Sequence, residues 1–160
     1  MPEMPTITAE TLIAVLDTVK TEFTAAIDEI DVNSPSPAPG EWNARQVLSH
    51  VIGSLQQTPV QAGFFLAGAP DVPVIFSDPY WIAIWHNAPA ESFKAALLAA
   101  VEGNKAFVRS LAPENLYRTA KMGSFGDTPL AVFLMISYNN HVKEQHLHQL
   151  RTFVSAPQPT

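Results

Sequence analysis

Residues 140–150 read NHVKEQHLHQL and carry three of the five histidines of the chain, His141, His146 and His148. They fall in a helix that we predict over 129–154, because apolar residues upstream repeat at steps of three and four. A metal ion needs two or three convergent lone pairs, and histidines four residues apart would supply two from one helix face. Here Gln145 follows His141 by four residues and His146 follows it by five. The segment indicates a metal site but leaves its ligands undecided.

Two conformations of this helix lead to two different ligand sets. In a regular α-helix, residues five apart point about 140° away from each other, so Gln145 takes the position next to His141. However, the apolar patterns upstream and downstream of these residues are out of phase with each other. An extra residue absorbed near 142–146 as a π-bulge would correct part of this slip and bring His146 onto the face of His141. His148 shares that face but lies about 10 Å along the axis, too far for one ion.

A further histidine, His50, lies in the second predicted helix, where residues 42–57 read WNARQVLSHVIGSLQQ. Val47 and Val51 fall on the same helical face, so the imidazole should point into the core. A single inward histidine is more often a neutral ring bonded to a polar neighbour than a metal ligand. His50 therefore becomes a candidate ligand only in combination with the C-terminal histidines.

Four amphipathic segments cover most of the chain, and their predicted helical bounds are about 8–31, 42–57, 90–111 and 129–154. Thr8 is the expected N-cap of the first helix, and Pro59 marks the expected end or kink of the second. Thr128 is the expected N-cap of the last helix, with Pro129 at its first position. No segment shows the convincing period-two alternation of a strand. The pattern predicts one all-α domain over 1–160, a four-helix bundle.

The connection between the second and third of these helices is long, irregular and rich in proline and aromatic residues. Phe76, Tyr80, Trp81 and Trp85 lie within ten residues of one another. A short helix over 80–86 would put both tryptophans on one face. These aromatic side chains are candidate walls of a ligand pocket, and the alternative is packing in the core or in a dimer interface. His86 is a candidate for the pocket mouth or a surface residue.

Composition excludes several classes of function. The net charge is −6 and the nine basic residues are scattered, which argues against binding of nucleic acid. Cysteine is absent, so thiolate ligands and cysteine nucleophiles are excluded. The sequence shows neither a secretory signal nor an apolar run of about 18 residues. We expect a cytoplasmic protein without a membrane partner.

Three motifs together resemble the DinB/YfiT-like metalloenzyme superfamily over roughly residues 8–152. They are the WNARQVLSHVIGSLQQ segment, the G-x-F-G-x-T-P-L turn that begins at Gly123, and the H-x-x-E-x-H-x-x-Q-L helix end. The resemblance implies a four-helix bundle of up-down-down-up type, usually a homodimer. It also implies a pocket with a divalent metal, often nickel or zinc, on three histidines. By position these are His50, His141 and His146, with Gln145 replacing His146 if the last helix is regular.

The resemblance also implies a class of chemistry, because this superfamily includes thiol-dependent transferases and isomerases, and hydrolases of small electrophiles. We therefore expect a metal-dependent enzyme that activates a low-molecular-weight thiol or water against a small-molecule substrate. Glu144 is the candidate base or partner of a ligand, and its alternative is an exposed helix carboxylate. Tyr80, Trp81 and Trp85 are the candidate pocket wall. The second hypothesis is a non-catalytic small-molecule-binding or stress-associated protein with a degraded metal site.

Overall fold

The computed structural model describes residues 6–73 and 78–154. Its helices are α1 (Ala9–Glu29), α2 (Ala44–Leu66), α3 (Asp78–Trp85), α4 (Ala90–Ser110), α5 (Leu130–Met135) and α6 (His148–Arg151). A π-helical segment, Ile136–Leu147, joins α5 to α6, and we call the continuous run 130–151 the C-terminal helix. Within the described residues, no helix combines the length and apolar character needed to cross a bilayer.

The first long helix is capped and oriented by a few polar contacts. Thr8 Oγ1 accepts a hydrogen bond from the backbone N–H of Thr11 at 3.2 Å, which confirms the predicted N-cap. Lys20 pairs with Glu102 at 3.3 Å, and α1 is joined to α4 further along by a second ion pair between Lys94 and Asp28. Since residue numbers rise along α1 as they fall along α4, the two helices are antiparallel.

The second long helix runs in the same direction as α4. The guanidinium of Arg45 lies 5.3 Å from the centre of the Phe93 ring near the start of both helices. Further along, Asn104 donates a hydrogen bond to the backbone oxygen of Leu55 at 2.7 Å. Residue numbers rise together along the two helices, so α2 and α4 are parallel.

The C-terminal helix completes the bundle between α1 and α2. Its Phe133 ring stacks on Phe65 of α2 with centroids 5.3 Å apart, near the start of one helix and the end of the other. At the opposite end of the bundle, Val154 forms an isolated β-bridge with Ile30 directly after α1. The C-terminal helix is therefore antiparallel to α2 and points the same way as α1. The order is up-down-down-up, as the sequence resemblance implied.

The core lies where the apolar stripes of these four helices meet. Full burial of one large apolar side chain contributes about 1.5–3 kcal/mol, so this continuous cluster is the main source of stability. The largest side chains with almost no exposure are Tyr138, Phe23, Phe65, Phe93, Leu12, Leu16, Leu48, Ile52, Leu55, Leu97, Leu130 and Leu134. They come from all four long helices, which makes this a single core.

The predicted end of the second helix near Gln57 is wrong, because α2 continues to Leu66 with Pro59 inside it. Proline has no backbone N–H, so it leaves the carbonyl of Leu55, four residues earlier, without its helical partner. The side chain of Asn104 supplies the missing donor from α4 at 2.7 Å. The hydrogen bond from Asn104 of α4 thus allows α2 to continue beyond Pro59.

The expectation of no strands, and of Thr128 as an N-cap, is also wrong. Two three-residue strands, β1 (Thr119–Lys121) and β2 (Asp127–Pro129), form an antiparallel pair in which Ala120 faces Thr128. Thr128 is a strand residue, and the helix begins one residue later than predicted, after Pro129. Strands of three residues are too short to show a period-two pattern, so they could not be predicted from the sequence.

Candidate metal centre

The conformation of the C-terminal helix decides which of its histidines face the same way. Residues Ile136–Leu147 are π-helical, so their hydrogen bonds join residues five apart. The predicted π-bulge is confirmed, although it covers twelve residues instead of a single turn. Residues five apart fall on one face of such a helix. His141 and His146 consequently point to the same side, towards α2.

Three histidine side chains converge between α2 and the π-helical segment. His50 Nε2 lies 3.1 Å from His141 Nε2, and His141 Nε2 lies 3.0 Å from His146 Nε2. All three ring nitrogens lie within 4.8 Å of one another. Nitrogen ligands held about 2.1 Å from one ion are separated by about 3.0–3.4 Å, depending on the coordination angle. Both separations from His141 Nε2 fall in this range, which makes the three histidines a candidate site for a single divalent cation.

A carboxylate that the sequence did not point out completes the surroundings of His50. Asp78 Oδ1, at the start of α3, lies 2.6 Å from His50 Nδ1. A carboxylate can only accept, so Nδ1 carries the proton, and in the neutral ring Nε2 presents a lone pair to the other histidines. We predicted the short helix to begin at Tyr80, and a contact between residues 28 positions apart leaves no periodic signal.

The third histidine is held in a similar way by a residue of its own helix. His146 Nδ1 lies 3.0 Å from Gln149 Oε1, three residues further along. The ring of Trp42 packs against both His50 and His146, with centroid distances of 4.8 Å and 6.3 Å. These contacts fix the planes of two imidazoles, with their Nε2 atoms turned towards His141. The amide assignment of Gln149 with its oxygen facing the ring makes Nδ1 the donor here too.

A hydroxyl group lies at the edge of the three nitrogens. Ser54 Oγ is 3.4 Å from His50 Nε2, one helical turn along α2. Two other hydroxyl residues of the same helix behave differently, since Ser49 and Thr58 both donate to the carbonyl four residues earlier. The Ser54 hydroxyl is thus close enough to contact a small ligand at the centre.

Burial keeps two of the histidines uncharged at neutral pH. The pKa of His146 is lowered to about 4, mainly by desolvation; the hydrogen bond with Gln149 opposes this shift, and the nearby His50 and His141 add to it. Desolvation also lowers the pKa of His141, with His50 as the next cause. Neutral imidazoles are the form that binds metals, so both rings are ready to donate lone pairs without first losing a proton.

Other predicted site residues of the C-terminal helix lie away from this centre. Gln145 is exposed, so the alternative with Gln145 as third ligand does not match the structure. Glu144 is also exposed and lies 3.6 Å from the ammonium of Lys143, not against a histidine. It therefore corresponds to the exposed-carboxylate alternative. His148 and His86 are exposed as well.

The aromatic residues predicted as a pocket wall have different surroundings. Trp81 packs on α2 at Gly53, where a Cβ atom would overlap the indole, about one helical turn along α2 from His50. Trp85 packs against Phe93 with centroids 5.9 Å apart, which is core packing. Tyr80 is 74% exposed. The remaining aromatic residue of this group, Phe76, lies outside the described residues.

Comparison with solved structures identifies the architecture. YfiT from Bacillus subtilis, described as a probable metal-dependent hydrolase with an unusual four-helix bundle topology, superposes with a TM-score of 0.69 at 17% identity, covering 95% of this chain and 90% of that one. A mycothiol-dependent maleylpyruvate isomerase superposes with a TM-score of 0.70 at 11% identity. A histidine-to-alanine mutant of that isomerase gives 0.69 at 10% identity.

These similarities concern the fold, since all three identities are low. This chain is covered to 96% by the isomerase but spans only 64% of the isomerase's own length. No protein-family model matches the sequence, and no curated protein matches it. The four-helix bundle that the sequence motifs implied is confirmed, and the fold is similar to that of YfiT and of the isomerase.

Proposed function

We propose that this protein is a metal-dependent enzyme that uses an activated thiol or water against a small electrophile, as a transferase or hydrolase. His50, His141 and His146 hold one divalent cation, nickel or zinc. The observation that carries the proposal is the convergence of their three Nε2 atoms, with neighbouring separations of 3.0–3.1 Å. A small-molecule substrate and a homodimer are part of the same proposal.

The donor set favours a bound cation over a cluster of histidines that only pack together. Asp78 holds the proton of His50 on Nδ1, and Gln149 does the same for His146, so two Nε2 lone pairs face one small volume. His141 Nε2 carries at most one proton, so it can donate a hydrogen bond to only one of these two Nε2 atoms. A cation satisfies all three lone pairs at once. Such an ion, when bound, supplies a Lewis acid and lowers the pKa of water or a thiol.

The chain's own residues orient the donors and shape the space beside them. Asp78 and Gln149 fix the rings of two histidines, and Trp42 excludes water from one side of them. The Ser54 hydroxyl, 3.4 Å from His50 Nε2, is placed to donate a hydrogen bond to a substrate oxygen. Glu144 takes no part, because it is exposed. The carboxylate near the centre is Asp78, and it is engaged with His50.

The two kinds of solved neighbour support this class of chemistry without deciding between its members. One is described as a probable metal-dependent hydrolase and the other as a mycothiol-dependent isomerase. Hydrolysis and thiol addition both begin with a nucleophile that loses a proton near an electrophilic carbon. The same three-histidine centre can serve either reaction, which is why the proposal includes both.

A non-catalytic binding protein is the weaker alternative. It was suggested by the five-residue spacing of His141 and His146, which would degrade the ligand set in a regular helix. The π-helical segment removes this reason, because it brings both Nε2 atoms to within 3.0 Å. No other described feature favours a protein without turnover.

Metal analysis of protein purified without an affinity tag tests the first step of the proposal. We expect about one nickel or zinc ion per chain in the wild type and a large loss in His50→Ala. Circular dichroism of both proteins controls for folding. A wild-type protein that binds no divalent metal, even after incubation with nickel and zinc salts, would remove the metal-enzyme proposal.

A second experiment separates the two reaction classes. Metal-loaded protein is incubated with an epoxide, an activated ester and a cis-enedione, each with water alone and with a small thiol, and products are identified by mass spectrometry. Hydrolysis without thiol identifies a hydrolase, and a thiol adduct or a thiol-dependent isomer identifies a transferase or isomerase. Stoichiometric metal without turnover of any of these compounds would favour the binding alternative.

A further inference from the structure

We propose that Asp78 is a positioning residue of the metal centre, and that docking of α3 onto α2 sets the affinity of the centre for its metal. This inference rests on the proposed metal site. It goes beyond that site because α3 contributes none of the three ligands. Instead, α3 places the Asp78 carboxylate against Nδ1 of the candidate ligand His50.

The contact between Asp78 and His50 is short and shielded. The two side chains are 27% and 14% exposed, and their atoms Oδ1 and Nδ1 lie 2.6 Å apart. A carboxylate that accepts the Nδ1 proton of a ligating histidine fixes the ring orientation and raises the basicity of Nε2. Removal of such partners typically weakens metal binding by about 10–100-fold. Asp78 is therefore placed to act on the metal through His50.

One end of the contact between α3 and α2 depends on a glycine. Trp81 lies flat against Gly53, and a Cβ atom at that position would overlap three atoms of the indole ring. A larger residue at position 53 would force the Trp81 ring to shift and so disturb the contact of α3 with α2. Gly63 on the same helix has no atom within 4 Å of its Cβ position, so close packing is not a general property of the glycines in α2.

Residues that follow α3 are held to α2 by an arginine. Arg45 Nη1 donates to the backbone oxygens of His86 at 3.2 Å and Ala88 at 2.6 Å. Trp85 contacts Phe93 of α4 at 5.9 Å between centroids. The helix is thus held at its middle and after its end, while Asp78 at its start meets His50. A displacement of α3 would move the carboxylate away from the imidazole.

Docking and metal binding must then be linked in both directions. If docked α3 increases the affinity for the metal, a bound metal increases the population of docked α3 by the same factor. The centre would bind metal tightly only when α3 lies against α2. The linkage predicts that a change at Gly53, which touches no ligand, alters metal affinity as a change at Asp78 does.

The first arm of the test compares Asp78→Ala and Asp78→Asn with the wild type. Nickel affinity is measured by competition with a chelator, and the visible spectrum of the cobalt-loaded protein reports the ligand geometry. We expect about 10–100-fold weaker nickel binding and altered cobalt bands for Asp78→Ala. The loss should be smaller for Asp78→Asn, because its amide oxygen can still accept the Nδ1 proton. Asp71→Asn, at an exposed aspartate outside the site, is the matched control.

The second arm uses Gly53→Ala, with Gly63→Ala as its control on the same helix. We expect Gly53→Ala to weaken nickel binding and to change the fluorescence of the tryptophans, while Gly63→Ala keeps wild-type affinity. The double variant Gly53→Ala with Asp78→Ala should bind no more weakly than Asp78→Ala alone, since both changes remove one contact.

The outcomes separate this inference from the proposed function. Wild-type affinity and an unchanged cobalt spectrum in Asp78→Ala would overturn the inference and leave the metal centre intact. Wild-type affinity in Gly53→Ala, with weak binding in Asp78→Ala, would overturn the docking step alone. A wild-type protein that binds neither nickel nor cobalt would overturn the proposed function first, and the inference with it.

Discussion

His50 makes two contacts that together define the state of its ring. Its Nδ1 meets the Asp78 carboxylate at 2.6 Å and its Nε2 meets His141 at 3.1 Å. The first contact fixes the proton, and the second places the lone pair in the centre. His146 repeats this arrangement with Gln149 as the acceptor at 3.0 Å. These contacts therefore orient the Nε2 lone pairs of His50 and His146 without the help of a bound ion.

The assignment of His146, and not Gln145, as the third ligand can be tested by substitution. His146→Ala should weaken nickel binding by at least about 100-fold, because a lost ligand costs more than a lost partner of a ligand. Gln145→Ala should keep wild-type affinity, because its side chain is exposed. Calorimetric or chelator-competition titrations of the tag-free proteins measure both.

His148→Ala is the matched control for this pair of variants, since it removes an exposed histidine of the same helix. The reverse pattern, with binding lost in Gln145→Ala and kept in His146→Ala, would mean that the helix is regular in solution. That result would contradict the assignment of His146.

Helices α2, α4 and the π-helical segment are joined by one buried polar chain. Pro59 leaves the Leu55 carbonyl without a helical donor, Asn104 Nδ2 supplies one at 2.7 Å, and Tyr138 donates its hydroxyl to Asn104 Oδ1 at 2.7 Å. Burial raises the pKa of Tyr138, so the hydroxyl stays protonated and remains a donor. Tyr138 lies three residues before His141, and the chain thus anchors the segment that carries two candidate ligands.

Removal of the middle residue should cost the most stability. Asn104→Ala leaves the Leu55 carbonyl and the Tyr138 hydroxyl buried without partners, and we expect a loss of about 2–5 kcal/mol in the free energy of unfolding. Tyr138→Phe removes one hydrogen bond and leaves one acceptor unpaired, for a loss of about 1–2 kcal/mol. Urea unfolding of the metal-free proteins measures both. An Asn104→Ala loss no greater than that of the exposed control Asn87→Ala would contradict the network.

Ion pairs between α1 and α4 give a prediction about pH. A hydrogen bond from Lys105 lowers the pKa of Asp17 below its usual 3.8, and one from Lys20 lowers that of Glu102 below 4.5. Carboxyl groups with lowered pKa values stabilise the fold above their unfolded pKa, and this stabilisation is lost as pH falls through the folded pKa. The free energy of unfolding should therefore decline as the solution is acidified below about pH 4.5.

Lys105→Met should make that acid decline shallower, because Asp17 then loses the donor that lowers its pKa. The control is Lys94→Met, which removes a lysine from the same helix that pairs with Asp28 instead. Denaturant titrations at several pH values between about 3 and 6 give the slopes. An unchanged slope in Lys105→Met would show that this pair does not contribute.

Elements formed by contacts between residues close in sequence were predicted from the sequence. Features that depend on residues far apart in sequence were not. The periodic helices α1 and α4 agree with prediction to within two residues at each end. The apolar residues before and after His141 are out of phase with each other, and this local pattern predicted the π conformation. The passage of α2 through Pro59 depends on Asn104, and the role of Asp78 depends on His50 across 28 residues. Neither contact leaves a local pattern.

The up-down-down-up order of the whole molecule is what brings the candidate ligands together. It sets α2 antiparallel to the C-terminal helix, so that His50 of α2 lies close to His141 and His146 of the C-terminal helix. Among the solved neighbours, similar folds belong to a protein described as a probable metal-dependent hydrolase and to a mycothiol-dependent isomerase, so the fold alone does not select a reaction.

The last prediction concerns the effect of the metal on the stability of the whole chain. The core is continuous across all four helices and does not include the metal, so chelation should leave the helical circular dichroism spectrum intact. An ion that binds only the folded state adds about 2.7 kcal/mol when its free concentration is 100 times Kd. Nickel should therefore raise the melting temperature of the wild type in a concentration-dependent way, and it should not raise that of His50→Ala. Unfolding by the chelator alone would mean that the ion is structural, and a wild type without any shift would mean that the three histidines hold no ion in solution.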